Sequence, residues 1–282
     1  MTNNGYSKDA IQFVDKSLIY LSQHTNLKNP EEVKAYIASL KSGNGYKRNL
    51  VWAYNKYCEL HKIYWERPIY KAQSKIMRIP TTAELDSLIS SAGFINSIKL
   101  AISKETGLRP KELSDLKVKD IDIERRTIHP ITAKHGAPRK LKISNSLTAN
   151  IETHIQKYKL NTDDKIFVTD SVGYAKQYRH HRNRLAKRLN RPELKTIRLY
   201  DFRHYYATRL YAKTKDILLV KQQLGHKRIE NTLIYTQLTA FNEEEEYTCK
   251  ATNDKEEEMK LIENGFQYVK DTNGYSLYRK RK

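Results

Sequence analysis

Apolar residues recur at helical spacing along nearly the whole chain, and the helices they imply are bounded by residues that start and stop helices. Ser7 precedes the periodic run AIQFVDKSLIYL. Asn29 and Pro30 open PEEVKAYIASL, with Pro30 at the first helical position and Glu31 and Glu32 at the positive helix end. Thr81 and Glu84, in TTAE, form a capping-box signature. Asp216 caps a run that carries Ile217, Val220 and Leu224 on one face and stops at Gly225, a residue type that closes helices in the left-handed conformation. A second short helix, with Ile234 and Leu238 at i,i+4, follows at once. The period changes in only two places. RTIHPIT and RKLKIS read as short strands around the tip AKHGAP, and FQYVKDTNGYSLYRKR reads as two alternating segments across an Asn-Gly turn. The expected fold class is mainly α with a small antiparallel β-sheet.

The same signals divide the chain. Residues 1–66 form three helices, enough for a small bundle. Residues 67–80 contain Pro68 and Pro80 with little periodicity and read as a linker. The capping box at Thr81 opens a second domain over 81–240, helical at first and again from about residue 146. Residues 241–282 form a tail made of a helix closed by Gly265 and a hairpin.

Charge narrows the partners. Lys and Arg number 52 against 32 Asp and Glu, a net charge of +20. The tail holds 8 basic and 10 acidic residues, so the excess lies upstream, and residues 171–213 alone hold 12 basic and 2 acidic. Such a field favours a polyanion, most simply nucleic acid. An anionic membrane would need a basic amphipathic stretch with a bulky apolar face, which the sequence lacks. Cys58 and Cys249 are isolated and indicate neither a disulfide framework nor a cysteine zinc site. With no apolar leader and no apolar run long enough to span a bilayer, the expectation is a cytoplasmic, DNA-associated protein.

Three stretches carry chemistry. TGLRPKELSDL holds Arg109 and Glu112, RLYDFRHYYATRLY holds Arg203 and His204, and LGHKRIENTLIY holds His226 and Tyr235. In this order and spacing they resemble the tyrosine recombinase/integrase family, of the phage-integrase and Xer type, from about Thr81 to Leu238. The N-terminal bundle is similar to that family's core-binding domain, with weaker motifs. The resemblance implies a helical core-binding domain followed by a tyrosine-recombinase catalytic domain, the two forming a basic clamp on double-stranded DNA. It implies a site-specific recombinase that cuts and rejoins duplex DNA through a 3′-phosphotyrosyl intermediate, with no cofactor and no metal. The active assembly would be a homo-oligomer, a tetramer on two DNA sites, and the tail would dock on a neighbouring protomer or pack on its own domain.

The residue types suit that reaction. Attack on a phosphodiester builds negative charge on the non-bridging oxygens, and two guanidinium groups, planar and always charged, match it. Arg109 and Arg203 are the expected pair, with Glu112, one turn on, orienting Arg109. Tyr235 is the expected nucleophile, a phenol whose ordinary pKa of about 10 calls for a base or a positive pocket. By resemblance, His226 bonds the transferring phosphate or positions Tyr235. Lys134, on the hairpin tip, would be the general acid for the leaving 5′ oxygen, with Lys140 and Lys142 nearby as other holders of that role. One position departs from the family: where its second box begins with His, this chain has Tyr200. A phenol cannot act as a base at neutral pH as imidazole does, but it can donate a hydrogen bond to a phosphate. His204 is expected to make a structural hydrogen bond. His180 and His181 are adjacent, poorly spaced for chelation on one helix face, and are expected to face the DNA groove. A type IB topoisomerase-like nicking-closing enzyme and a non-catalytic DNA-binding relative are the alternatives.

Overall fold

The computed structural model describes residues 1, 4–71, 77–132, 136–239, 247–272 and 274–281. The chain divides into two compact units, Met1–Ile76 and Met77–Lys282.

In the first unit, α1 (Lys8–Ser22), α2 (Pro30–Ser39) and α3 (Asn44–His61) follow the capping residues: the Ser7 and Asn29 side chains accept from Ala10 N and Glu32 N. Their apolar faces meet in a core of Leu21, Val33, Ile37, Leu50, Val51, Tyr54 and Cys58. Trp65 packs edge-on against Tyr54, with ring centroids 4.7 Å apart. The first residues of the expected linker belong here. Lys47 Nζ sits 5.5 Å from the Tyr70 ring, and Asn44 Nδ2 donates to Lys71 O at 2.7 Å.

The second unit starts before the capping box. Ile79 packs on its core, and Arg78 pairs with the buried Glu84. Then come α4 (Thr82–Ser90), α5 (Phe94–Thr106) and α6 (Pro110–Ser114), a small sheet, α7 (Asn145–Tyr158), α8 (Ser171–Arg188), α9 (Leu199–Thr214), α10 (Ile217–Leu224) and α11 (Glu230–Thr239). The capping box forms as expected: Thr81 Oγ1 accepts from Glu84 N, and Glu84 Oε2 accepts from Thr81 N. The sheet has three antiparallel strands, β1 (Ile121–Asp122), β2 (Thr127–Ile128) and β3 (Leu141–Lys142), in the order β1-β2-β3. The outer strand β1 was not anticipated, because two residues carry no readable alternation. One continuous apolar core, from Leu85 to Tyr205, joins these elements, and a smaller cluster of Ala207, Val220, Leu224 and Tyr235 sits between α9, α10 and α11.

The tail holds more sheet than the expected hairpin. β4 (Tyr247–Thr252), α12 (Lys255–Glu263), β5 (Gln267–Thr272) and β6 (Tyr275–Arg281) form a second antiparallel sheet in the order β4-β6-β5. β4 was missed because its partner β6 lies beyond a helix, so no local turn announces the pairing. The described residues are mainly α with two small antiparallel sheets.

Candidate active site

Arg203 is the centre of the site and is 1% exposed. It lies in the second turn of α9. Its Nη1 donates to Gly107 O at 2.7 Å, and its Nη2 donates to Leu224 O at 2.6 Å. Both carbonyls stand at helix C-termini: Gly107 caps α5, and Leu224 is the last residue of α10. Such carbonyls lack intrahelical partners and carry the negative end of the helix dipole, so they suit a buried cation. One side chain thus ties together the turn before α6, the helix α9 and the turn before α11. Burial, reinforced by Arg109, lowers the Arg203 pKa to about 10, which leaves it cationic at neutral pH.

The turns are fixed by their glycines. Gly107 has φ +63°, and a Cβ there would lie 2.7 Å from Tyr206 Cδ1. Gly225 has φ +65°, and a Cβ there would lie 2.8 Å from Arg139 Nη1 and 3.0 Å from Ala137 O. A side chain at Gly225 would be strained and would push the β2–β3 connection away.

Arg109 is the N-cap residue of α6, with Pro110 at N1. Its Nη1 donates to Glu112 Oε1 at 2.8 Å, and its backbone N–H donates to Glu112 Oε2 at 3.0 Å. Glu112 also receives Arg139, whose Nη2 lies 2.6 Å from Oε2; neither of these two side chains is exposed. Burial would push the Glu112 carboxyl up, but Arg139 and Arg109 outweigh it and hold the group below the ordinary carboxylate value. Two guanidinium groups therefore hold one carboxylate, and Arg203 lies close enough for its charge to be felt by both Arg109 and Glu112. The Nε atoms of Arg139 and Arg203 are buried with no hydrogen-bond partner among the described residues. Unmet donors in an excess of positive charge suit an anion.

His226 follows Gly225. Its Nε2 lies 3.1 Å from Arg203 Nη2, and its Nδ1 lies 2.9 Å from Thr232 Oγ1. A guanidinium can only donate, so Nε2 accepts and Nδ1–H points to Thr232. Burial and then Arg203 lower the His226 pKa to about 4, so the ring is neutral at pH 7. Tyr235 projects from α11 into the smaller cluster and is 1% exposed. Its Oη lies 3.0 Å from His204 Nδ1. Burial raises its pKa to about 12, so the phenol is protonated. The Tyr200 ring, 41% exposed in the first turn of α9, meets His204 edge-on at 4.9 Å.

The fold thus gathers Arg109, Arg203, His226, Tyr235 and Tyr200 from separate stretches of sequence. Lys134 falls outside the described residues. Among the residues that flank it, Thr132 Oγ1 donates to Gly136 O at 3.0 Å and Ala137 N donates to Gly225 O at 3.3 Å. Sequence reasoning passed over Arg139 and Thr232. Nothing local distinguishes Arg139 from the neighbouring lysines; only the distant Glu112 marks it. The expectation that both adjacent histidines face a groove needs correction. His181 is buried, with Nε2 3.0 Å from Leu88 O, and His180 alone is exposed. Among the described residues, no group of three His, Cys, Asp or Glu side chains is arranged as metal ligands would be.

Residues 73–241 match the phage integrase family. The chain belongs to that family. Among similar proteins with curated descriptions are the tyrosine recombinase XerA of Saccharolobus solfataricus, 26% identical over 64% of this chain and 59% of the relative, and the tyrosine recombinase XerC of Oceanobacillus iheyensis, 25% identical over 68% and 65%. The chain spans about three fifths of the length of these relatives. Among solved structures, the Tn1549 transposon integrase in complex with transposon right-end DNA superposes with a TM-score of 0.65 at 17% identity, covering 85% of this chain and 93% of that one. The XerH recombinase bound to its difH substrate gives 0.55 at 20% identity, covering 78% and 72%. At these identities the likeness concerns the fold. The integrase fold of this chain puts its three sequence boxes around one arginine centre.

Proposed function

We propose that this phage integrase family member is a site-specific DNA recombinase that cuts and rejoins duplex DNA through a 3′-phosphotyrosyl link. The observation that carries the reading is the convergence on Arg203. The turn after Gly225 and α11 bring a neutral histidine and a tyrosine to Arg203, whose charge adds to that of Arg109 and Arg139, the two guanidiniums that hold Glu112.

The scissile phosphate binds where Arg109 and Arg203 offer their donors, with Arg139 adding positive charge from behind Glu112. Charge that develops on the non-bridging oxygens meets donors already fixed by carbonyls and by Glu112, so little reorganisation is needed. His226, held by Thr232, exchanges its bond to Arg203 for one to the phosphate. Tyr200 donates from the exposed rim of α9. Tyr235 Oη attacks phosphorus, the 5′ oxygen leaves, and Lys134 protonates it. The phosphotyrosine keeps the bond free energy, so a 5′-hydroxyl from a second strand reverses the step without ATP or a metal. Because Tyr235 is 1% exposed, DNA docking has to uncover it.

Duplex binding falls to the basic surface. α8 buries Tyr174, Tyr178, His181 and Leu185 and presents Lys176, Arg179, His180, Asn183, Arg184 and Lys187 on its exposed side. Basic and amide groups on one helix face suit phosphates and base edges in a major groove. The active assembly is a tetramer on two sites, by analogy with the family, and no helix among the described residues is long and apolar enough to cross a membrane.

The test is a nicked half-site taken from repeats that flank the gene. The nick lets the fragment beyond the cut diffuse away, so a covalent protein–DNA band accumulates on a denaturing gel. Duplex binding without any adduct would assign the chain to non-catalytic DNA binding instead.

A further inference from the structure

The reaction above leaves one proton without a destination. Tyr235 enters it protonated, and the position that opens the second sequence box is Tyr200, which is no base at neutral pH. The described structure puts a different imidazole on the nucleophile. His204 Nδ1 lies 3.0 Å from Tyr235 Oη, the two rings are 5.9 Å apart, and both residues are buried. On the basis that Tyr235 is the nucleophile, we propose that His204 is a catalytic residue, the acceptor of the Tyr235 proton during strand cleavage and its donor during rejoining.

The geometry is built by α9. Tyr200, Arg203 and His204 lie within two turns, so the residue that touches the arginine centre and the one that touches the nucleophile are consecutive. Tyr200 stands one turn before His204 and covers its ring edge-on. Tyr200 is thus left to the phosphate, and His204, one turn deeper, faces α11.

The charges around His204 suit a proton acceptor. The titratable and charged groups that bear on it are Asp201, Arg198, Arg203 and Tyr200 on or beside its own helix and Tyr235 from α11. Burial lowers its pKa to about 4, with Arg198 and Arg203 adding to the fall and Asp201 opposing it. The ring is therefore neutral at pH 7, with a lone pair free to accept. Such a ring is a weak base for a resting phenol. The transfer becomes favourable as the O–P bond forms, because the bonded oxygen loses its hold on the proton. The incoming phosphate charge and Asp201 then stabilise the imidazolium. The step balances. The Oη–P bond forms and the P–O5′ bond breaks; the phenol proton goes to His204 Nδ1, and the leaving 5′ oxygen takes one from its general acid. Rejoining returns both protons.

The test is single-turnover cleavage of the nicked half-site at saturating protein, read as a rate constant so that a partly folded sample lowers only the amplitude. His204→Asn keeps an acceptor near Nδ1 but cannot take the proton; His204→Ala removes both. The wild-type rate is expected to be flat from about pH 6 to 9. Both variants are expected to be slower by about 10²–10⁴-fold at pH 7. Their rates should climb about tenfold per pH unit, because hydroxide must then remove the proton. An Asn variant at the wild-type rate, or one slowed with a flat pH profile, would overturn the proposal by reducing His204 to positioning. Faster cleavage in the Ala variant would also overturn it, making the contact a latch that restrains Tyr235. A Tyr235→Phe control separates the two readings: an adduct in that variant refutes the nucleophile assignment itself, whatever the His204 variants do.

Discussion

Arg139 and Glu112 form an ion pair in which neither side chain has any solvent exposure, with Nη2 2.6 Å from Oε2. The pair joins the β2–β3 connection to α6. Because Glu112 also holds Arg109, a residue absent from the expected catalytic set controls one that is in it.

Removing one partner of a buried pair strands the other charge and typically costs about 3–5 kcal/mol. Arg139→Met should therefore lower stability on that scale, measured by urea unfolding of the whole chain. It should also slow cleavage, because Glu112 then neutralises Arg109 alone. Glu112→Gln with Arg139→Met removes both charges, and the double variant should be more stable than Arg139→Met. Strictly additive losses would mean that the two groups do not act as a pair.

Tyr200→Phe keeps the ring that packs on His204 and removes only the hydroxyl. If that hydroxyl donates to the phosphate, cleavage should fall about 10²–10³-fold, the usual loss for one preorganised donor to developing charge. Tyr200→His should restore the rate. A Phe variant within about threefold of wild type, well short of the roughly 1.4 kcal/mol that makes a tenfold change, would assign Tyr200 to packing alone.

Acid should destabilise the second unit over a defined window. His204 and His226 have folded pKa values of about 4, lowered first by burial, against an ordinary value of 6.5. Between these values the unfolded chain binds protons that the folded chain refuses, so stability rises with pH. Their contribution is fully present above pH 6.5 and is lost as the pH falls toward 4. Melting temperatures of His226→Gln should depend less steeply on pH across this window than those of the wild type. An equally steep dependence would mean that His226 is not held neutral.

Duplex binding should weaken steeply with salt. Neutralising about 6–10 phosphates gives a log–log slope of roughly −6 to −10. Lys176→Ala and Arg184→Ala should each reduce the slope by about one while leaving Tyr235 chemistry on bound DNA intact. A slope unchanged in both variants would remove α8 from the DNA interface.

What the sequence made legible was local. Ser7, Asn29, Thr81 with Glu84, Asp216 and Gly225 act within one helical turn of themselves, and each capping or turn residue does in the structure what its chemistry dictates. The three boxes were legible because each is one short run of sequence, a helix or a turn with the helix that follows it. What escaped depends on distance along the chain. β4 finds its partner only beyond α12, and Arg139 is defined by a carboxylate 27 residues upstream. His181 looked like its neighbour His180 until α8 turned it onto Leu88. The expected structural bond of His204 proved to reach Tyr235, a partner 31 residues away that no local pattern names.

The most direct test of the account maps the adduct itself. Trapped protein–DNA complex is digested with nuclease and trypsin, and the peptide that retains a nucleotide is sequenced by mass spectrometry. The tryptic fragment 229–250 contains both Tyr235 and Tyr247, so fragmentation must distinguish them. The account predicts a 3′-phosphonucleotide on Tyr235 and no adduct from Tyr235→Phe, which should still bind the duplex. A modified Tyr247, or any other modified residue, would contradict it, as would an adduct that survives in the Phe variant.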